Sequence, residues 1–284
     1  MKILVLGHMG MLGTDIVSKL SGSHDVIGKD IDDFDITDQQ DCHRLIIESD
    51  AEIVINAAAY TNVDDCEDNR EICFAVNANG VKNVAQSCTE QEIKLVHFST
   101  DYVFDGTQNT PYPEDFPYNP INVYGQSKLQ GEQYLREYSN NYILIRTAWL
   151  YGKNGKNFVD TIIEKAQIER SLQVVDDQIG SPTYTVDLAS AVKVLIEGNH
   201  TGIFHVTNRG TCSWYDFALK ILQYTDVKNV EVKPVPTETF PRKALRPHYS
   251  VLSCKKFYNA TQRTMRFWQI ALKDYLNRRS SQVV

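Results

Sequence analysis

Apolar residues in the first half of the chain fall into short runs separated by longer segments of mixed polarity. Residues 3–6 (Ile-Leu-Val-Leu) form an unbroken apolar run closed by Gly7, as a strand buried on both faces requires. Between 12 and 20 the apolar positions are 12, 16, 17 and 20, the spacing of one helix face. The alternation continues with strands at 25–28, 53–57, 95–99 and 142–147, and with helices at 38–47, 71–88 and 125–138. Strand and helix in strict turn imply right-handed crossovers and a parallel sheet covered on both faces. The second half is less regular. It predicts helices at 158–170, 185–197, 215–224 and 267–278, and a strand at 202–206 that returns to the sheet. A proline-rich stretch from Pro234 to Pro247 reads as an ordered loop.

Composition narrows the function classes. The chain has 284 residues, 42% hydrophobic and 23% charged, enough to bury a sizeable core. Its net charge of −7, without any Lys/Arg run, argues against nucleic-acid binding. The longest apolar stretch, residues 53–59, is far short of the roughly 20 residues of a membrane span. Residues 1–10 lack the long apolar region of a signal peptide, so the cytoplasm is the expected compartment. The six cysteines show no CxxC pair and are expected to be free thiols. The seven histidines show no ligand spacing, so no catalytic metal is assigned. His97 and His205 lie in expected strands and read as satisfied core histidines.

Gly7, Gly10 and Gly13 follow the first strand and open the first helix, spaced GxxGxxG. Glycines here permit a tight turn and close approach of a pyrophosphate to the helix N-terminus. Asp30, at the end of the second strand, is placed to accept hydrogen bonds from adenosine ribose hydroxyls and to repel a 2′-phosphate. That favours NADH, while the cation of Lys29 leaves NADPH open. The fold class is therefore a Rossmann-type doubly wound parallel sheet with a smaller, interleaved C-terminal α/β lobe. Residues 1–150 are the dinucleotide domain, with elements near 185–225 returning to it, and 151–284 mainly the substrate lobe.

The chemistry concentrates in two segments. Tyr124 and Lys128, at i and i+4, share a helix face. A neighbouring ammonium draws a phenol down from its usual pKa of about 10 towards working pH. The fourth strand ends in residues 99–106 (Ser-Thr-Asp-Tyr-Val-Phe-Asp-Gly), and a hydroxyl at such an end, Ser99 or Thr100, lies where open α/β sheets bind ligands. Hydroxyl, tyrosine and lysine together suit carbonyl reduction beside a nicotinamide.

These motifs in this order, with residues 56–64 (Asn-Ala-Ala-Ala-Tyr-Thr-Asn-Val-Asp), 146–152 and 177–183 and the Arg246-Pro247…Ser250 segment, resemble the dTDP-4-dehydrorhamnose reductase family of extended short-chain dehydrogenases/reductases. The resemblance runs from residue 1 to about 275. It implies reduction of the 4-keto group of dTDP-4-dehydro-L-rhamnose, for surface polysaccharide synthesis, with NADH or NADPH. It implies Thr100, Tyr124 and Lys128 as the catalytic set, and Val63, Thr100, Asp101, Tyr102 and Trp149 at the sugar nucleotide. Cofactor contacts would come from Gly7, Gly10, Met11, Leu12, Gly13, Asp30, Asp35, Ile36, Ala57, Ala58 and Ala59, with Tyr124 and Lys128. Met11 stands where members often carry glutamine. Some relatives bind Mg²⁺ through glutamates at a dimer interface; Asp15 stands there here, so neither metal nor metal-linked dimer is assigned, and a homodimer is only the default. The same resemblance extends to other nucleotide-sugar reductases and epimerases and to the regulatory β-subunit of methionine adenosyltransferase. Three features carry two readings each. Trp149 is a core or a substrate residue. Arg242, Lys243 and Arg246 bind a diphosphate or form a solvated loop. Residues 177–183 shape a pocket or a turn.

Overall fold

The structure, a computed structural model, describes residues 1–225 and 227–280. Six parallel strands form the central sheet: β1 (Lys2–Leu6), β2 (Asp25–Lys29), β3 (Ile53–Asn56), β4 (Lys94–Thr100), β5 (Tyr142–Thr147) and β10 (Gly202–His205). Their spatial order is β10-β5-β4-β3-β1-β2, so the chain steps one way from β1 to β2 and the other way to β3. That reversal opens a crevice at the carboxyl ends of β1 and β3, where sheets of this kind bind ligands.

The strands alternate side chains between two cores. Ile3, Val5, Ile53, Ile55, Val96 and Ile143 face one side with α1 (Met11–Leu20) and α8 (Thr185–Glu197). Leu4, Leu6, Val54, Leu95 and Leu144 face the other, where α2 (Gln39–Ser49), α5 (Gly80–Glu90) and α6 (Val123–Tyr138) pack. Helix starts follow side-chain chemistry: Asp38 caps α2 and Asn122 caps α6, each accepting backbone N–H bonds from the first turn. Beyond β2 the chain passes through turns, with Phe34 and Ile36 in the core.

A third apolar cluster, mostly from residues after 150, joins α7 (Phe158–Ile168), α9 (Trp214–Gln223) and α11 (Trp268–Ser280). It includes the parallel pair β7 (Ser171–Val175) and β12 (Glu231–Val235). Two two-residue pairings were illegible in the pattern. β6 (Leu150–Tyr151) pairs with β9 (Thr183–Tyr184), and β8 (Ile179–Gly180) with β11 (Cys212–Ser213). The isolated bridges tie residues 112, 179 and 209 to the C-terminal segment. A short helix, α10 (Lys255–Thr261), was equally unforeseen.

Two expectations need correction. The helix expected at 71–88 is interrupted: α3 (Asp65–Asp68) and α4 (Arg70–Phe74) precede a π-helical turn at Ala75–Asn79, and only then does α5 begin. Its wider turn lets Gly131 of α6 come so close that an added Cβ would stand 2.2 Å from the Asn77 carbonyl. The proline-rich stretch is not all loop, because Pro234 lies within β12. β12 is an edge strand of a two-stranded pair, where a missing N–H is tolerated. Among the described residues no helix is long and apolar enough to cross a membrane.

Candidate active site

At the mouth of the crevice the glycine loop is held by close packing. Gly7 has φ +76°, and a Cβ there would meet the Ala58 nitrogen at 2.6 Å. At Gly13 it would stand 2.0 Å from the Gly7 carbonyl oxygen. At Gly10 the same oxygen would lie 3.3 Å from an added Cβ, a milder but still tight contact. The cradle is thus shaped by absent side chains, the fit a pyrophosphate at the N-terminus of α1 requires. Leu12 is buried, whereas Met11 is half-exposed at the opening of α1. Ala57–59 run half-buried beside the loop, with the Ala57 N–H donated to the Leu6 carbonyl.

The acidic residues behave individually. Asp30 accepts backbone N–H bonds from Met9 (2.8 Å) and Ile31 (2.9 Å), which fixes its carboxylate at the edge of the loop. Lys29 turns to Asp33 at 3.0 Å. Asp35 closes a turn on the N–H and hydroxyl of Thr37, and those bonds hold its carboxyl below the usual range. Ile36 points its side chain into the core against Gly80, so only its backbone is left for a ligand. Asp15 turns inward and is hydrogen-bonded by the Thr185 hydroxyl.

Thr100, Tyr124 and Lys128, the set expected to be catalytic, come together at the end of β4. Thr100 donates its hydroxyl to Asp101 (2.9 Å) and accepts the Tyr102 N–H (3.1 Å). The 3₁₀ turn at Asp101–Val103 brings the Tyr102 ring edge-on to Tyr124, with centroids 5.8 Å apart. Gly125 lets the start of α6 press on this turn, since a Cβ there would meet the Tyr102 carbonyl at 2.2 Å. Lys128 is buried one turn further along, its Nζ 3.5 Å from His97 Nε2. Beneath it Glu132 grips Arg146 with both oxygens, at 2.8 and 2.6 Å, and His205 completes that pair at 3.2 Å. His205 is a satisfied core histidine, its Nδ1 on the Tyr112 carbonyl. His97 is not, because its Nδ1 meets no partner at hydrogen-bonding geometry.

Electrostatics depart from the sequence expectation at Tyr124. Burial, followed by the Asp101 charge, raises its phenol above the ordinary value, and the nearby Thr100 hydroxyl opposes this. The phenol therefore stays protonated, as a proton donor requires. Burial pushes the Asp101 carboxyl up to about 6 and the Lys128 ammonium down to about 8.

A cavity of about 720 Å³ adjoins this end through Tyr102. Phe158, Gln178, Trp214, Arg242 and Arg246 are among its walls. Of the expected substrate residues only Tyr102 lines it; Thr100 and Asp101 lie buried next to Tyr102, and Val63 is half-buried before α3. Trp149 touches it indirectly. Its ring stacks on Trp214, with centroids 3.5 Å apart and planes 6° from parallel. Gly180 crowds the same indole, since a Cβ there would come within 2.4 Å. Trp214 also donates to Gln178 Oε1 at 3.2 Å. The sequence reading missed Phe158 and Trp214, and held Gln178 and Gly180 only as members of the 177–183 segment. Of residues 177–183, Gln178 lines the cavity and Gly180 packs against Trp149. Arg242 and Arg246 both reach Asp64, at 3.6 and 3.1 Å, so they form a tied wall of the cavity, whereas Lys243 is exposed and pairs with Asp68.

Comparison with known proteins shows the family and the fold. The family model described as RmlD substrate binding domain matches residues 1–281. The chain belongs to that family. The spore coat polysaccharide biosynthesis protein SpsK of Bacillus subtilis is 40% identical over 281 residues, covering 99% of this chain and 98% of the relative. A dTDP-4-dehydrorhamnose reductase structure from Clostridium acetobutylicum superposes with TM-score 0.96 at 42% identity, covering 99% of this chain and all of the other (100%). A Bacillus anthracis dTDP-4-dehydrorhamnose reductase, solved in complex with NADP, gives TM-score 0.95 at 39% identity, covering 97% and 98%.

Proposed function

We propose that this family member is an oxidoreductase that reduces the 4-keto group of dTDP-4-dehydro-L-rhamnose to the alcohol of dTDP-L-rhamnose, using NADH or NADPH. The observation that carries the reading is the convergence of Thr100, Tyr124 and Lys128 at the end of β4, beside a cavity walled by two arginines. The nicotinamide, when bound in the glycine cradle, supplies a hydride for the sugar C4. Tyr124 donates its phenolic proton to the C4 oxygen, completing the two-electron, two-hydrogen balance of a ketone reduction. Thr100 orients that oxygen, and Lys128 stabilises the tyrosinate left behind until water returns its proton. Arg242 and Arg246 suit the diphosphate, because planar guanidinium forks match phosphate oxygens.

Gly7, Gly10, Gly13, Asp30 and the backbones of Met11, Leu12, Ile36 and Ala57–Ala59 make up the cofactor side of this reading; Asp35, committed to its own turn, contributes at most its backbone. Asp30 favours NADH, and Lys29 adds little for a 2′-phosphate because its ammonium is engaged by Asp33. A cytoplasmic setting belongs to the same reading, because the six cysteines show no CxxC pair. The deciding test follows NADH and NADPH oxidation at 340 nm with enzymatically generated dTDP-4-dehydro-L-rhamnose. Turnover with either cofactor, faster with NADH, is the expected result. Tight cofactor binding without turnover would overturn the substrate assignment.

A further inference from the structure

Beneath the reacting end runs a strip of polar side chains on one face of the sheet, where apolar residues would be ordinary. Asn56 of β3 and His97 of β4 are register partners, and so are Ser99 of β4 and Arg146 of β5, and Arg146 and His205 of β10. All five are buried, and α6 lies over them with Lys128 and Glu132 pointing down, one helical turn apart. A buried ammonium carries three donors and loses several kcal/mol of hydration unless something accepts from it. Glu132 is the obvious acceptor, but the Arg146 guanidinium already holds both of its oxygens. His97 Nε2 lies within reach, 3.5 Å from Nζ.

We infer that His97 is a positioning residue for Lys128, its neutral imidazole accepting from the ammonium through Nε2 and holding it under Tyr124. The inference deepens the reductase reading and rests on it for its kinetic consequence. To accept at Nε2, the ring must carry its proton on Nδ1. Nδ1 faces the neighbouring strand, where the Asn56 backbone is close enough to be felt although not at hydrogen-bonding geometry. Burial first, and the Lys128 charge second, keep the imidazole well below its usual range and therefore neutral.

The groups facing this pair come from every element around it. Tyr124 and Glu132 lie on α6, the Cys73 thiol comes from α4, Asn56 lies on β3, and the Glu132-neutralised Arg146 lies on β5. Glu132 and Cys73 favour the ammonium, and burial disfavours it more strongly. A neutral acceptor supports the cation without cancelling its charge, which a carboxylate at the same place would do.

Two measurements test this. In the wild-type protein, nitrogen-edited NMR of the imidazole should show one neutral Nδ1–H tautomer from about pH 5 to about pH 9. An Nε2–H tautomer, or a ring that titrates in this range, would overturn the inference whatever the substrate proves to be. The second measurement is the pH profile of kcat for His97→Leu and His97→Gln. Loss of the acceptor lowers the Lys128 pKa further, so the alkaline limb in His97→Leu should move down by about one pH unit. Near pH 6, kcat should stay within about threefold of wild type. His97→Gln, whose amide oxygen accepts, should restore the limb. Equal loss of activity at all pH values in both variants would mean a packing role only, and would overturn the proposal. Absence of turnover in wild type would instead sink the reductase reading and leave the tautomer test standing.

Discussion

At the scale of single residues, the site separates identity from state. Tyr124 and Lys128 were legible because a helix puts i and i+4 on one face, and that depends on nothing beyond the local backbone. The direction of the Tyr124 shift was not legible, because it depends on burial and on Asp101, contributed by another element. Replacing Tyr124 by Phe should lower kcat by about 10²-fold or more, while NADH titration gives an unchanged dissociation constant. Near-normal turnover in that variant would remove Tyr124 from the chemistry. Asp101 makes a separate prediction. Its folded pKa, about 6, lies above the ordinary 3.8 because burial disfavours the charge. Its contribution to stability is therefore complete below about pH 4 and lost as pH rises through about 6. Asp101→Asn keeps the neutral form throughout. Urea midpoints should show it more stable than wild type by on the order of 2–3 kcal/mol above pH 7, the gap closing towards pH 4. A gap independent of pH would contradict the assignment.

At the scale of elements, the sequence pattern located every strand of the central sheet: the inner strands, buried on both faces, must read as apolar runs, and the edge strands β2 and β10 keep shorter ones. It failed where local pattern and local structure part company. The π-helical turn at Ala75–Asn79 leaves helical periodicity nearly intact, and what demands it is the approach of α6 at Gly131. The pairs β6–β9 and β8–β11 are two residues long, too short for any alternation to register. The glycine loop shows how an element imposes identity. Gly13→Ala would drive its methyl into the Gly7 carbonyl, whereas Gly22 has open space around it. Gly13→Ala should weaken cofactor binding more than tenfold and lower the melting temperature by several degrees, with Gly22→Ala unchanged in both. Cofactor titration and thermal melts decide it, and equal behaviour of the two variants would contradict the packing argument.

At the scale of the whole molecule, the cavity proposed for the substrate is assembled from parts far apart in the chain. Tyr102 follows β4, Phe158 and Trp214 open helices α7 and α9, and Arg246 is tied back to Asp64. Gly180, Trp149 and Trp214 pack in that order, so Trp214→Ala removes a wall and the stacking partner of Trp149 together. It should raise KM for the nucleotide sugar at least tenfold with KM for NADH unchanged, and an unaltered sugar KM would exclude Trp214 from the binding wall. The sequence by itself determined the parallel sheet, the glycine loop, the Tyr124/Lys128 pairing on one helix face and the family resemblance, because each is written in neighbouring residues or in one element's periodicity. Tertiary structure alone decided the rest. The Trp149 ring is held by residues some thirty and sixty positions away, and the Lys128 ammonium meets an acceptor on a strand rather than on its own helix. Burial, stacking and proton affinity depend on which groups come within a few ångströms in space, and separation along the chain does not report that distance.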